Sequence, residues 1–327
     1  MNKATILRAK QSIELVPTAP FNFDATLHKP DHFPAADTQW ETGTRWQTML
    51  WQGKPLGLRF ENQGTVARPR IALSIWSARQ LGSYFLSQLT DEIIYRYNLQ
   101  LDLTEFYRRF KSHLTLGPVL RKWRGMRPLN YSSLYEYLII AIVLQNATVR
   151  RSVNMMQALL ENYGALLSFD GQKLYCFWEP QVIDAVTEQE LRALKVGYRA
   201  KSIKRVTSTF VDKDIDEFEL RSKSREEQRQ ALLGLYGIGP ASVGYILSDV
   251  FHHMNELEYI SPWEQKIYSK LFFGTDPDTL IPVEQLLAYF NEQFGKYRML
   301  AVHYFWEDLF WKRKNEHIEW LEKLIRL

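Results

Sequence analysis

A glycine-rich turn between two apolar helical runs offers the clearest chemistry in this 327-residue chain. Residues 232 to 243 read Leu-Leu-Gly-Leu-Tyr-Gly-Ile-Gly-Pro-Ala-Ser-Val, so Gly237-Ile238-Gly239 makes the turn and Pro240 takes the first helical position. Glycine lets the backbone turn tightly and approach a ligand, and proline begins a helix without wasting a donor. The amides that follow, beginning with Ala241, face outward at the positive end of a helix dipole, where a phosphate binds without any side chain. Contact of this kind suits a nucleic-acid backbone irrespective of base sequence. A plain helix-to-helix turn uses the same residues, so the reading needs support from elsewhere in the chain.

The placement of charge supplies some of that support. Forty-one Lys and Arg against 37 Asp and Glu leave a net charge of +4, so affinity for a polyanion depends on where the charges lie. Tyr107 to Tyr135 carries seven basic residues and no acidic one; Arg192 to Val211 carries six and none. A localised phosphate-binding face, with Arg127, Arg199, Lys201 and Lys204 among its members, has this composition, and so do solvated helix faces whose acidic partners lie elsewhere in the fold. One cysteine, Cys176, excludes an intramolecular disulfide, a four-thiolate zinc site and an iron–sulfur cluster. The longest wholly apolar run, Leu138 to Leu144, falls far short of the roughly 18 residues a membrane span needs, and the N-terminus lacks a signal peptide's apolar core. These features lead us to expect a soluble intracellular protein.

Two parts must position this chemistry. Up to about residue 100, Trp46 to Trp51, Leu56 to Glu61 and Val66 to Trp76 read as antiparallel strands, divided by Gly53-Lys54-Pro55 and Asn62-Gln63-Gly64. Beyond Leu101 the period becomes helical, over 103–112, 117–124, 132–145, 148–163, 187–195, 199–211, 225–234, 241–252, 263–273, 283–294 and 297–325. The expectation is an α+β fold with a β-rich domain over 1–100 and a helical domain over 101–327.

The hairpin resembles the helix-hairpin-helix of the DNA glycosylase superfamily that includes endonuclease III and the 8-oxoguanine and 3-methyladenine glycosylases. Further segments carry the resemblance: Leu101 to Tyr107, Arg124-Gly125-Met126-Arg127-Pro128-Leu129, Val196-Gly197-Tyr198-Arg199-Ala200-Lys201, and Ser261-Pro262-Trp263-Glu264-Gln265-Lys266-Ile267-Tyr268. The alkylbase and 8-oxoguanine glycosylases also place a β-rich domain before the helical one.

The resemblance implies roles. Glu264 falls where the family has an essential aspartate, a carboxylate that stabilises positive charge developing on the sugar; its extra methylene leaves open a site re-cut for Glu, a substitute acid such as Asp249, or lost catalysis. Bifunctional members carry a nucleophilic lysine where this chain has Ala241, which implies a monofunctional enzyme that uses water. Asn146, with Gln145 beside it, matches the region that wedges into the duplex when a nucleotide is flipped, although Asn146 also suits a cap for the helix beginning near Thr148. Tyr245 and Tyr297 fall where the family presents aromatic faces to the extruded base. Gly237, Ile238, Gly239 and Ala241 would hold phosphate. No cofactor is implied beyond a monovalent cation on hairpin carbonyls, and no side chain specifies a metal.

The expectation is therefore a monomeric, monofunctional DNA glycosylase that releases an alkylated or oxidised base from double-stranded DNA in base excision repair. It would work in the cytoplasm or nucleoid, or in the nucleus of a eukaryote, without a membrane. The rival is a non-catalytic damage-sensing DNA-binding protein that retains the glycosylase fold; an all-helical interaction domain with a chance hairpin is a third reading.

Overall fold

A computed structural model describes residues 3–28, 36–275 and 279–325. They fall into two compact units, one built from Met1–Asp102 and Gly125–Glu217, the other from Leu103–Arg124 and Phe218–Leu327.

The first unit begins with β1 (Thr5–Ile6), β2 (Ala9–Leu15), α1 (Phe23–Leu27), β3 (Thr38–Glu41), β4 (Thr44–Trp51), β5 (Lys54–Asn62), β6 (Ile71–Ser77) and α2 (Ser83–Arg96). Five strands form an antiparallel sheet in the order β2-β6-β5-β4-β3, two more than the periodicity suggests. The β4–β5 turn is Gln52-Gly53, not the stretch around Pro55: a two-residue hairpin of type I′ needs positive φ at both positions, which proline cannot adopt. Their φ values are 47° and 71°, and Pro55 lies within β5 opposite Leu50. Alternate residues of β5 (Leu56, Leu58, Phe60) and β6 (Ile71, Leu73, Ile75) are buried with Phe85, Leu89 and Ile93 of α2, whose four-residue spacing places them on one helix face. That helix went unread in the sequence, hidden inside the strand-rich segment.

The same unit continues with α5 (Leu134–Leu144), α6 (Val149–Tyr163), β7 (Ala165–Phe169), β8 (Gln172–Cys176), α7 (Pro180–Asp184), α8 (Glu188–Leu191), a wide turn over Arg192–Val196, and α9 (Arg199–Val211). Strands β7 and β8 join β1 in a second sheet of order β1-β7-β8. Their Asp170-Gly171 turn is anchored where Asp170 accepts from the Trp46 indole at 2.7 Å and from Arg59 at 2.8 Å. Helix α5 begins at a capping box in which Ser133 and Glu136 satisfy each other's backbone amides.

The second unit holds α3 (Thr104–Phe110), α4 (Leu116–Lys122), α11 (Arg225–Leu233), α12 (Pro240–Asp249), α13 (Pro262–Phe273), α14 (Val283–Phe294), α15 (Arg298–Asn315) and α16 (Glu319–Leu324), while the short α10 (Glu217–Arg221) straddles the boundary. Its core is aromatic: Phe106, Tyr268, Phe290, Phe294 and Tyr304 are nearly inaccessible. The expected run over 297–325 is broken at Glu316, whose φ of −124° and ψ of 145° are extended. The chain then folds back so that Leu324 O accepts from the Trp263 indole at 2.6 Å and Ile325 O from Arg313. No described helix is long and apolar enough to cross a membrane.

Candidate active site

In the helical unit, α11 and α12 form the hairpin. Gly237 sits at φ 85°, a backbone state in which a β-carbon is strained. Ile238 is buried and its amide donates to Leu235 O, which closes the turn. Gly239 is the extended N-cap, no side chain caps the helix, and Pro240 occupies the first turn. The early amides of α12, Ala241 among them, therefore lack intrahelical acceptors and are left for a ligand or water.

The acid expected at the start of α13 is placed by the sequence Ser-Pro-Trp-Glu. Ser261 is the N-cap, its hydroxyl accepting from the Glu264 amide while the Ser261 amide donates to Glu264 Oε2 at 2.8 Å. This capping box turns the carboxylate back over the helix N-terminus, where the dipole favours negative charge. Glu264 is only 5% exposed. Its other oxygen, Oε1, accepts from the Tyr245 hydroxyl of α12. Burial, reinforced by the charge of Glu264, raises the Tyr245 phenol well above its ordinary range, so it remains a donor at neutral pH. Tyr268 is raised for the same two reasons, and its hydroxyl accepts from the Trp306 indole at 2.8 Å.

Tyr245 also lines a pocket with Ala241, Gly244, Tyr259 and Met299. Tyr297, expected as the second pocket aromatic, is placed differently. Its ring packs against Phe106 and Phe110, at centroid distances of 5.5 and 6.0 Å, as part of the aromatic core. Met299, two residues on, lines the pocket instead.

In the first unit, Asn146 is exposed with φ 47°, a left-handed state that asparagine tolerates better than most residues. It does not cap the following helix. Thr148 does, accepting from the Arg151 amide at 3.3 Å. The Asn146 amide reaches the Tyr198 hydroxyl at 3.4 Å, and Tyr198 is 53% exposed. Sequence reading passed over this tyrosine, although it sits in the quoted segment beside Gly197. Gln145 contributes its backbone carbonyl to Arg199.

Two of the four basic residues expected to face phosphate are internal. Arg127 is fully buried and donates to the carbonyls of Asn98, Leu99, Thr18 and Pro20 at 2.7–3.0 Å; a guanidinium so engaged orders the chain between strand and helix rather than meeting DNA. Arg199, 1% exposed, donates to Gln145 O and lies 4.7 Å from the Tyr198 ring centre, and so braces the Gln145-Asn146 turn from within. Lys204 is half-buried, its ammonium on the carbonyls of Ile183 and Asp184 at 3.0 and 2.7 Å. Lys201 is exposed, as is Arg205 on the same helix. Among the described residues no group of three His, Cys, Asp or Glu is placed to hold a metal ion.

No family model matches the chain. Its sequence is similar to the "Probable N-glycosylase/DNA lyase" of Methanothermobacter thermautotrophicus, 24% identical over 247 residues that span 70% of this chain and 75% of that protein. The structure resembles the 3-methyladenine DNA glycosylase from Archaeoglobus fulgidus, with a TM-score of 0.74 at 16% identity over 94% of this chain and 100% of that one. It also resembles the Clostridium acetobutylicum 8-oxoguanine glycosylase/lyase in complex with double-stranded DNA containing cytosine opposite 8-oxoguanine, with a TM-score of 0.69 at 16% identity over 95% and 99%. The fold is that of the helix-hairpin-helix DNA glycosylases.

Proposed function

We propose that this protein is a DNA glycosylase that takes a damaged base, an alkylated or oxidised purine, out of duplex DNA and hydrolyses its N-glycosidic bond with water. The observation that carries the reading is Glu264, a buried carboxylate at a helix N-terminus, held by a tyrosine from the hairpin helix. The names of the similar proteins favour the same class.

Extrusion leaves a gap in the base stack that a side chain must fill, and Asn146 with Tyr198 is the exposed pair suited to it. As the bond between C1′ and the base lengthens, its electron pair leaves with the base and positive charge grows on the sugar. The Glu264 carboxylate stabilises that charge. Its bonds from the Tyr245 hydroxyl and the Ser261 amide use two of about four lone-pair positions, which leaves lone pairs to accept the proton of the water whose oxygen bonds to C1′. Ala241 has no amine to attack in its place, and the product is an abasic site in an intact strand. The enzyme would act as a monomer inside the cell.

The test is strand cleavage of duplexes carrying 8-oxoguanine, 3-methyladenine or hypoxanthine, read with and without alkali and with borohydride present. Cleavage that requires alkali and yields no trapped covalent complex is the expected result. A borohydride-trapped complex overturns the hydrolytic route in favour of the lyase chemistry in the Methanothermobacter protein's name. One observation favours a second reading, a damage-sensing binder without turnover: both oxygens of Glu264 already have partners within the protein. That reading requires tight, salt-sensitive duplex binding and no base release.

A further inference from the structure

The pocket beside the hairpin has a polar rim with its own logic. Its floor is one face of α12, formed by Ala241, Gly244 and Tyr245, and the segment from Glu256 to Tyr259 closes it from the side. Gly244 sits mid-helix, where glycine costs about 1 kcal/mol relative to alanine. A β-carbon built there meets no atom within 4 Å, so helix packing does not require the glycine, and its effect is a bare floor.

At the rim, the fully buried Glu256 carboxylate accepts from Arg225 and Arg229 at 2.8 Å each, and Glu258 meets the same two guanidiniums at 3.1 and 3.0 Å. Two carboxylates against two guanidiniums sum to zero, so the rim offers no net attraction for phosphate. The arginines have committed donors to the carboxylates, whereas a carboxylate with two partners keeps lone pairs to spare. Glu256 is sealed by burial; Glu258 remains 37% exposed. The result is a fixed anionic acceptor beside the aromatic rings of Tyr245 and Tyr259, a combination that fits a flat heterocycle with N–H groups along one edge.

We infer that this pocket receives the extruded base and that Glu258 reads the donors of a guanine-type edge, the ring N1–H and the exocyclic 2-amino group. The inference rests on the glycosylase reading. Tyr245 joins the two, since its ring lines the pocket while its hydroxyl holds Glu264. An adenine-type edge turns the lone pair of N1 toward the carboxylate and is disfavoured.

Two measurements separate the inference from the reading beneath it. In single-turnover release, 8-oxoguanine opposite cytosine should leave at least ~10-fold faster than 8-oxohypoxanthine, which lacks only the 2-amino group; a site built around a hydrogen bond discriminates at least this strongly. Glu258→Gln should close that gap, and Gly244→Leu should slow both substrates with duplex affinity unchanged. Equal wild-type rates, or a gap that survives Glu258→Gln, would overturn the inference while leaving the glycosylase intact. If neither duplex releases a base, the glycosylase reading fails, and saturation-transfer NMR with 9-methylguanine and 9-methylhypoxanthine decides the pocket alone. Selective saturation of 9-methylguanine, lost in Glu258→Gln, supports it; no saturation of either probe by the wild-type protein removes it.

Discussion

The Tyr245 hydroxyl donates to Oε1 of Glu264, joining the hairpin's second helix to the first turn of α13 across 19 residues of sequence. A hydrogen bond to a charged acceptor contributes about 1.5–3 kcal/mol, and here it fixes which way the longer glutamate side chain points. Tyr245→Phe keeps the ring and removes the donor. We expect single-turnover base release to fall ~10- to 100-fold while the Kd for duplex DNA is unchanged. An unaltered rate would show that Ser261 alone positions the acid.

The amide of Asn146 is expected to matter only when a base pair has to be opened. Asn146→Gly keeps the left-handed backbone comfortable, whereas Asn146→Ala adds about 1 kcal/mol of strain, so the glycine variant isolates the side chain. Release of a lesion in a paired duplex should slow by at least ~10-fold, and release from the same lesion within an unpaired bubble should be nearly normal. Equal losses on both substrates would place Asn146 in the chemistry or in the fold instead of in the wedge.

Salt dependence distinguishes the basic residues. Each phosphate contact contributes close to one unit to the slope of log affinity against log salt. Lys201→Ala should lower that slope by about one. Arg127→Ala should leave the slope alone and cost roughly 3 kcal/mol or more of stability, because four buried carbonyls lose their donor. A reduced slope with undiminished stability in Arg127→Ala would reverse the assignment.

Glu136 supplies a pH signature of the first unit. Burial raises its carboxyl to about 7, against the pull of Arg96 and of the Ser133 amide. An exposed glutamate titrates near ~4.3, so across the interval between the two values the folded state holds a proton that the unfolded chain has released. Stability is therefore greatest below the interval and falls as pH rises through it, by on the order of 4 kcal/mol. Glu136→Gln retains a capping-box side chain and should flatten the fall. Urea titrations at pH 5 and pH 8 check it; identical slopes for the two proteins would refute the assignment.

Much of this was legible in the chain, for local reasons. The hairpin is written in Gly237, Gly239 and Pro240, whose backbone requirements are their own, and Ser261-Pro262-Trp263-Glu264 specifies its capping box without help. Helices such as α9 and α14 declare themselves by their period. What stayed hidden depends on partners distant in sequence. Arg127 looks like a DNA ligand until the carbonyls around it are known, and Tyr297 like a pocket ring until Phe106 and Phe110 claim it. Strands β7 and β8 are announced by the Asp170-Gly171 pair between them, a two-residue hairpin signature that the periodicity reading passed over, whereas their pairing with β1 depends on residues far away in sequence. The charge cluster of Arg225, Arg229, Glu256 and Glu258 likewise exists only once α11 lies beside the loop after α12.

The most direct test of the central claim is Glu264→Gln, an isosteric change that keeps the helix cap and removes the negative charge. Single-turnover release of the preferred damaged base and duplex affinity should be measured on the same preparation. The account expects release to fall by at least ~10³-fold, in line with the loss of a principal electrostatic stabiliser, with DNA affinity within about threefold of the native protein. Undiminished release in Glu264→Gln, with affinity preserved, would contradict it and move the chemistry to another residue.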